Sequence, residues 1–268
     1  MSVFKKYKYG SLYYWMYDYQ KFWKHVLSKH DGKFQINNLQ LAQKLFKLLK
    51  MVRGTVIIAD IGANIGMNSL NFSKDANLIY AIEPQTKVYK QLCKNIKANK
   101  ITNVKTFKIA FGKDNGESKL YIGKNSNDGE NHIALKSEKI TEPIIMSKMS
   151  DFFIDKPINY IKMDIEGYEY FALLGATEIF KIYKPIIVLE IAKAESKRYI
   201  KDMPEKVFNY FKHIGYYGPI VNSGRIIKSY KVSPSTYTDF WWFPDDMWNR
   251  GEIQQKNNNS YWKPKIHP

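Results

Sequence analysis

Cysteine is nearly missing from this chain. Cys93 is the only one among 268 residues, so no internal disulfide can form and no zinc site can be built from thiolates. That scarcity suits a reducing compartment, and a cytoplasmic location is expected. Long apolar runs are missing too. No stretch approaches the roughly 18 consecutive apolar residues of a membrane-spanning helix, so no integral membrane segment is expected. The opening "MSVFKKYKYGSLYYWMYDYQ" has early lysines but neither a leucine-rich run nor a small-residue cleavage site, which argues against a secretory signal. Acidic side chains are also scarce: 25 Asp and Glu face 42 Lys and Arg, a formal net charge of +17. A balance of that sign suits phosphate-rich partners, RNA among them. The lysines are nevertheless spread along the whole chain, as AT-rich coding would leave them.

The rest of the composition is that of an ordinary globular protein, 44% hydrophobic and 25% charged. Three regions are expected: an aromatic-rich extension over residues 1–50, a main domain over 51–248, and a polar tail over 249–268. The extension is read as helical, because Leu41, Leu45, Leu48 and Leu49 form an apolar stripe at helical spacing. Such a stripe usually faces a core, although a basic amphipathic helix can also lie on a membrane. From residue 55 the text alternates short β-branched runs ("TVIIAD", "NLIYAIEP", "NVKTFKIAFG", "NYIKMDI", "KPIIVLEIA") with helical patterns ("TKVYKQLCKNIKAN", "EYFALLGATEIFKIY", "PEKVFNYFKHIGY"). Continuous apolar strands separated by helices predict a mostly parallel sheet covered on both faces, an α/β fold.

The first strand runs into "IADIGANIGMNS", which sets Gly62 and Gly66 at the opening of a helix. In open parallel sheets ligands bind beyond the carboxyl ends of the strands, and glycines let backbone approach them. The turn lacks the G-x-G-x-x-G of a dinucleotide site and carries Asp60 before its first glycine. An anion there disfavours a pyrophosphate and suits a ligand with an amino or sulfonium charge. Glu83 ends the second strand, where an acid can accept both hydroxyls of a ribose. S-adenosylmethionine has all three features.

In the order "DIGANIG", "AIEP", "IKMDIEGYE", "LLGA", "PIIVLE", the chain resembles the FkbM family of S-adenosylmethionine-dependent methyltransferases over roughly residues 55 to 192. The resemblance implies a Rossmann-like class I methyltransferase with a seven-stranded, mostly parallel sheet whose seventh strand is antiparallel at one edge. It implies O-methylation, often of sugar hydroxyls. By carry-over, Asp60, Gly62, Asn64, Gly66 and Glu83 would line the cofactor site, and Ile109 and Ala110 would border the adenine. The aromatic, basic N-terminus departs from the family pattern. So does "MSKMSDFF", where Asp151 stands for the acid of a leucine-aspartate pair.

Candidate catalytic residues follow the fourth strand. Asp164 and Glu166 lie beyond its end, and Glu190 ends the fifth strand, where it could converge with Asp164. An alcohol needs a base to take its proton, or a metal to lower its pKa. Three roles stay open for this set: general base with orienting partners, oxygen ligands (Asp164 and Glu190) for a divalent metal such as Mg²⁺ or Ca²⁺, or acceptors for sugar hydroxyls. Lys162 projects to the same side as Asp164. Glu169 is read as a helix-dipole residue, and His132, in a polar loop, as a candidate base or a solvated residue. Trp241, Trp242, Tyr168 and Tyr170 could stack on sugar rings. The leading expectation is an O-methyltransferase acting on a sugar or glycan. An RNA 2′-O-methyltransferase and a catalytically silent binding module are its rivals.

Overall fold

The computed structural model describes residues 3–123, 131–191, 198–221, 238–249, 253–256 and 261–264. The chain opens with an antiparallel hairpin, β1 (Phe4–Tyr9) and β2 (Leu12–Tyr17), followed by helices α1 (Lys21–Lys29) and α2 (Ile36–Arg53). The expectation of a helical extension is therefore corrected for its first part. Leu12, Tyr14 and Met16 are buried and alternate with half-buried Tyr13, Trp15 and Tyr17, the period of two that a strand packed on one face demands. The outer edge of β2 is not left open. Asn95 Oδ1 accepts the Trp15 N–H (2.6 Å) and Asn99 Oδ1 the Tyr13 N–H (2.8 Å), while Gln91 Nε2 donates to the Trp15 carbonyl (2.6 Å). Amides spaced four apart on one helix thus stand in for a neighbouring strand and blunt an edge that would otherwise invite pairing.

Strand and helix then alternate through β3 (Ile57–Ile61), α3 (Met67–Phe72), β4 (Leu78–Ile82), α4 (Thr86–Ala98) and β5 (Val104–Phe107). The run "NVKTFKIAFG" is two strands rather than one. After β5 the chain crosses to a second sheet made of β6 (Ala110–Gly112), β7 (Gly116–Tyr121), β8 (His132–Ile133) and β9 (Thr141–Lys148), in the order β6-β9-β7-β8. The main sheet resumes after α5 (Met149–Phe153) with β10 (Tyr160–Met163), α6 (Glu169–Leu174), α7 (Thr177–Tyr183), β11 (Ile186–Ile191), α8 (Met203–His213), β12 (Tyr216–Val221) and β13 (Thr238–Pro244), which leads into α9 (Asp245–Asn249). The single helix expected over 169–183 breaks at Gly175. A Cβ there would lie 2.1 Å from the Gly112 carbonyl, so only glycine lets the helix end pass β6.

The main sheet runs β12-β13-β11-β10-β3-β4-β5. The five strands from β11 to β5 are parallel, and β13 is antiparallel to both its neighbours. The antiparallel strand lies one in from the edge, not at it, because "YYGPIV" forms the outer strand. One face packs Ile58, Tyr160, Val188 and Trp241 under Leu45, Phe46 and Leu49 of α2, so the leucine stripe faces the core. The other packs Ile161, Ile187 and Trp242 against Phe153, Leu173 and Phe211. Trp241 and Trp242 are both fully buried, which removes them as sugar-stacking candidates: adjacent strand residues point to opposite faces, and here both faces are covered. Among the described residues no helix is long and apolar enough to cross a membrane. Of the expected polar tail, two short paired strands, β14 (Ile253–Lys256) and β15 (Tyr261–Pro264), are described. The rest of the tail and residues 124–130 of the expected loop before His132 lie outside the described residues.

Candidate active site

The carboxyl ends of β3, β4 and β10 open into a cleft lined by residues that follow all three strands. The turn after β3 forms its floor. Gly62 adopts φ +79°, and a Cβ there would lie 1.9 Å from the Asp164 carbonyl. The glycine is therefore demanded by the close passage of the β3 and β10 ends as well as by its backbone angle. Gly62 and Ala63 donate their N–H groups to the Ile82 carbonyl (3.0 and 2.9 Å), tying the turn to β4. Asn64 also has positive φ, +50°, and its side-chain oxygen accepts the Ile65 N–H at 2.7 Å, the local bonding that lets Asn adopt this conformation. Gly66 caps α3 and packs on Leu92, away from the cleft.

Glu83 joins two loops. Its Oε2 accepts the Asn64 N–H (3.1 Å) and its Oε1 the Gln85 N–H (2.9 Å). Two backbone donors hold the carboxylate in one orientation on the cleft wall. Ile109 and Ala110 form the apolar wall opposite, with Phe111 and Pro84.

Lys162, Asp164 and Glu166 also line the cleft. Lys162 is buried, and its ammonium lies 2.7 Å from Asp164 Oδ2. Burial opposes the charge, but the carboxyl groups of Asp164, Glu190 and Asp60 outweigh it and hold the lysine above its ordinary pKa. Asp60 lies beneath the cleft rather than on its wall. It faces the same side of the sheet as Ile58, under α3, where the Ser69 hydroxyl donates to its Oδ2 at 2.5 Å and its Oδ1 finds no partner among the described residues. Burial pushes its carboxyl up, against the Lys162 ammonium.

Glu190 is likewise off the wall. Gln35 Nε2 donates to its Oε2 at 2.9 Å. Burial, then the charges of Asp164 and Asp239, push its carboxyl up to about 9. Its cross-strand neighbour Asp239 accepts from Asn38 Nδ2. The start of α2 thus supplies amides to both acids.

The expectation of a metal on Asp164 and Glu190 does not fit this arrangement. The ammonium of Lys162 already neutralises Asp164 where a cation would sit, and Glu190 is turned away from the cleft wall to the Gln35 amide. Among the described residues no cluster of three or more His, Cys, Asp or Glu could hold a metal.

Glu169 has a more specific part than a helix dipole. Its Oε1 accepts the N–H groups of Ile165 (3.0 Å) and Gly167 (3.3 Å). It thereby braces the loop in which Glu166 and Gly167 take positive φ, +57° and +97°. Burial pushes this carboxyl up to about 7. The Glu166 carbonyl accepts from Arg198 Nη1 at 2.6 Å. His132 is not a solvated loop residue. It is buried in β8 on the cleft wall, its ring 4.8 Å from that of Tyr121 and its Nε2 2.9 Å from Glu138 Oε1. Tyr168 lines the cleft, whereas Tyr170 packs on the core.

Among the lining residues absent from the sequence-based set are Trp23, Phe34 and Asn131. Trp23 packs edge-on against Phe34 (5.6 Å), is 6% exposed, and its indole N–H is buried with no partner among the described residues. Both aromatics come from the N-terminal segment, and no local pattern marks which of its many rings reach the cleft.

A comparison with curated proteins gives no match. Among solved structures the chain is similar to the methyltransferase FkbM from Methylobacillus flagellatus KT, with 18% identity over 70% of this chain and 43% of that one and a TM-score of 0.47. It is similar to the bifunctional kinase-methyltransferase WbdD, with 11% identity over 89% of this chain and 44% of that one and a TM-score of 0.48. It is also similar to M. jannaschii TYW2 in complex with AdoMet, with 15% identity over 91% of this chain and 88% of that one and a TM-score of 0.43. The chain spans less than half the length of the first two. The methyltransferase FkbM domain matches residues 60–217, more than half of the sequence, and the chain belongs to that family.

Proposed function

We propose that the protein is an S-adenosylmethionine-dependent O-methyltransferase acting on a sugar hydroxyl of a glycan or glycoconjugate. The observation that carries this reading is the placing of Glu83 and the Lys162–Asp164 pair on the walls of one cleft. The residues fit the cofactor: Glu83 offers oriented carboxylate oxygens to a ribose diol, Ile109 and Ala110 offer an apolar wall to an adenine, and the Gly62 turn lets backbone approach. Bound there, S-adenosylmethionine supplies an electrophilic methyl group on a sulfonium centre.

The chain's own task is to orient an acceptor hydroxyl and take its proton. Asp164 suits that task. Its side chain is 24% exposed on the cleft wall, and the Lys162 ammonium fixes one of its oxygens. Glu83, Glu166 and His132 also line the wall, but Glu83 accepts from two loop N–H groups, and the His132 Nε2 is engaged by Glu138 while its ring lies against Tyr121. We assign the proton to Asp164. A base at this position contributes roughly 10²- to 10⁴-fold, so Asp164→Asn is expected to lose that much in kcat while still binding S-adenosylmethionine.

The test is methyl transfer from labelled S-adenosylmethionine to glycan-derived sugars and to RNA in parallel, each with and without chelator. Label on sugar that survives chelator is the expected result. Label on RNA alone would overturn the acceptor class, and absence of cofactor binding would overturn the reading entirely.

A further inference from the structure

We infer that the outward face of the N-terminal hairpin, with the groove between it and α4, binds a sugar chain bearing phosphate or carboxylate groups and leads it to the cleft. The inference rests on the sugar-acceptor reading above and narrows it to anionic chains.

Cross-strand pairing puts Phe4 beside Tyr17, Lys6 beside Trp15 and Lys8 beside Tyr13, and each pair shares a face. The opposite face, Leu12, Tyr14 and Met16, is buried in the core. The outward face is thus a stripe of rings and lysines. Against it α4 presents Lys87, Lys90 and Lys94, spaced to lie on one side of the helix. The groove between them holds about 540 Å³, and Glu142 is the one carboxylate among its lining residues. That carboxylate accepts the Thr86 N–H at 2.7 Å, so its charge is turned to the start of the helix. Thr86 and Lys87 follow directly on the Glu83–Gln85 turn of the cleft wall, so the groove and the cleft adjoin.

The rings act as seats for the lysines. Lys94 Nζ lies 3.4 Å from the Trp15 ring centre and 4.5 Å from that of Phe4, and Lys87 Nζ lies 4.5 Å from Tyr17 and 4.3 Å from Tyr19. Lys6 Nζ lies 4.1 Å from Tyr13. Each ring quadrupole holds an ammonium in place, which gives a fixed array of point charges instead of mobile lysine tips. The same seating decides between polyanions. Single-stranded nucleic acid needs open aromatic faces on which bases stack. Here the faces carry ammonium groups or other rings, Phe4 on Tyr17 at 4.5 Å and Tyr17 on Tyr19 at 5.3 Å. Spaced anionic groups on a sugar chain match point charges without requiring a stacking surface.

The test uses the full chain and three fluorescent probes: hexagalacturonate, with a carboxylate on each ring, neutral maltohexaose, and a six-nucleotide oligouridylate. Lys87→Gln/Lys90→Gln/Lys94→Gln is compared with Lys44→Gln/Lys47→Gln/Lys50→Gln, which removes equal charge from exposed positions on α2. We expect hexagalacturonate to bind the wild type, maltohexaose not to bind, and the groove variant to weaken hexagalacturonate about tenfold with a salt slope shallower by about two. The α2 variant should stay within about twofold. The single variant Lys90→Gln, which disturbs no ring contact described above, should show a smaller loss of the same kind. Equal loss in both triple variants would reduce the effect to bulk charge, tighter oligouridylate binding would make the groove a nucleic-acid site, and either result overturns the inference. Transfer to a free monosaccharide, which has no chain to reach the groove, should be unchanged in the groove variant. Failure of that transfer in the wild type would strike the sugar-acceptor reading and leave the binding result standing.

Discussion

Replacing Lys162 by methionine should destabilise the protein strongly at pH 8 and weakly at pH 5. The Lys162 side chain is 4% exposed, its ammonium lies 2.7 Å from Asp164 Oδ2, and it is the cation that the carboxyl groups of Asp164, Glu190 and Asp60 face. Methionine fills much of the same volume, so the loss is one of charge and not of packing. Removing one partner of a buried pair costs about 3–5 kcal/mol because the other charge is left buried and uncompensated. Asp164 is 24% exposed, so water recovers part of its solvation and the lower end, about 3 kcal/mol, applies. For a domain of this size that corresponds to a fall of roughly 6–12 °C in Tm. The cost should shrink on acidification, since burial already raises the Asp60 carboxyl and its protonation removes charge that the lysine no longer balances. Urea unfolding of wild type and variant at pH 5 and pH 8 measures both effects. The double variant Lys162→Met/Asp164→Asn should recover part of the loss at pH 8, a coupling that a double-mutant cycle reads directly. A variant as stable as wild type at pH 8, or a deficit equal at both pH values, would refute the account of Lys162 as the shared counter-ion.

Gly62→Ala should cost roughly 1–2 kcal/mol for the left-handed backbone and about 1–3 kcal/mol more for forcing β3 and β10 apart. Methyl transfer should fall further than stability does; wild-type unfolding and activity together would rule out the tight passage at Asp164. Because the Glu190 carboxyl is pushed from 4.5 up to about 9, the folded chain keeps a proton that the unfolded chain releases. Stability should therefore decline as pH rises between those values, by at most about 1.4 kcal/mol per pH unit from this group. Glu190→Gln should flatten that decline in urea titrations from pH 6 to 9, and an unchanged slope would remove Glu190 as its source. Trp23→Phe keeps the ring and deletes the buried N–H, so stability should stay within about 1 kcal/mol of wild type, the smaller ring offset by relief of an orphan donor. Either the Kd for S-adenosylmethionine or the KM for the acceptor should rise about fivefold, and if neither moves, the indole is structural only.

The parallel part of the sheet was readable because burial on both faces writes strands as continuous β-branched text, as in "TVIIAD" and "KPIIVLEIA". What misled were signals that only tertiary contact resolves. Gly175 looks like a tolerable helix residue until Gly112 is placed against it. The strand β12 carries glycine and proline and shows no run of apolar residues, because its role is to close an edge. The hairpin was hidden by the leucine stripe that follows it, although Leu12, Tyr14 and Met16 already alternate with period two. In the site, strand-end acids were legible as a group, but spacing along one strand cannot say which side of the sheet is covered there. Asp60 and Glu190 are roofed by α3 and by the start of α2, which turns two expected wall residues into buried partners of Lys162 and Gln35.

The N-terminal segment lies outside the matched family span, yet it completes the site on both sides of the sheet's carboxyl edge. Trp23 and Phe34 close the cleft wall, and one residue further Gln35, held at φ +48°, turns its amide to Glu190 while Asn38 receives Asp239. A strained, non-glycine left-handed residue survives only where surrounding contacts over-determine it, and here the contact is a half-buried acid that takes its donor from Gln35. The same short stretch therefore lines the cleft and supplies the donor to the acid beside Asp164. Sequence changes in this segment can reshape the cleft wall without touching Gly62, Glu83 or Lys162.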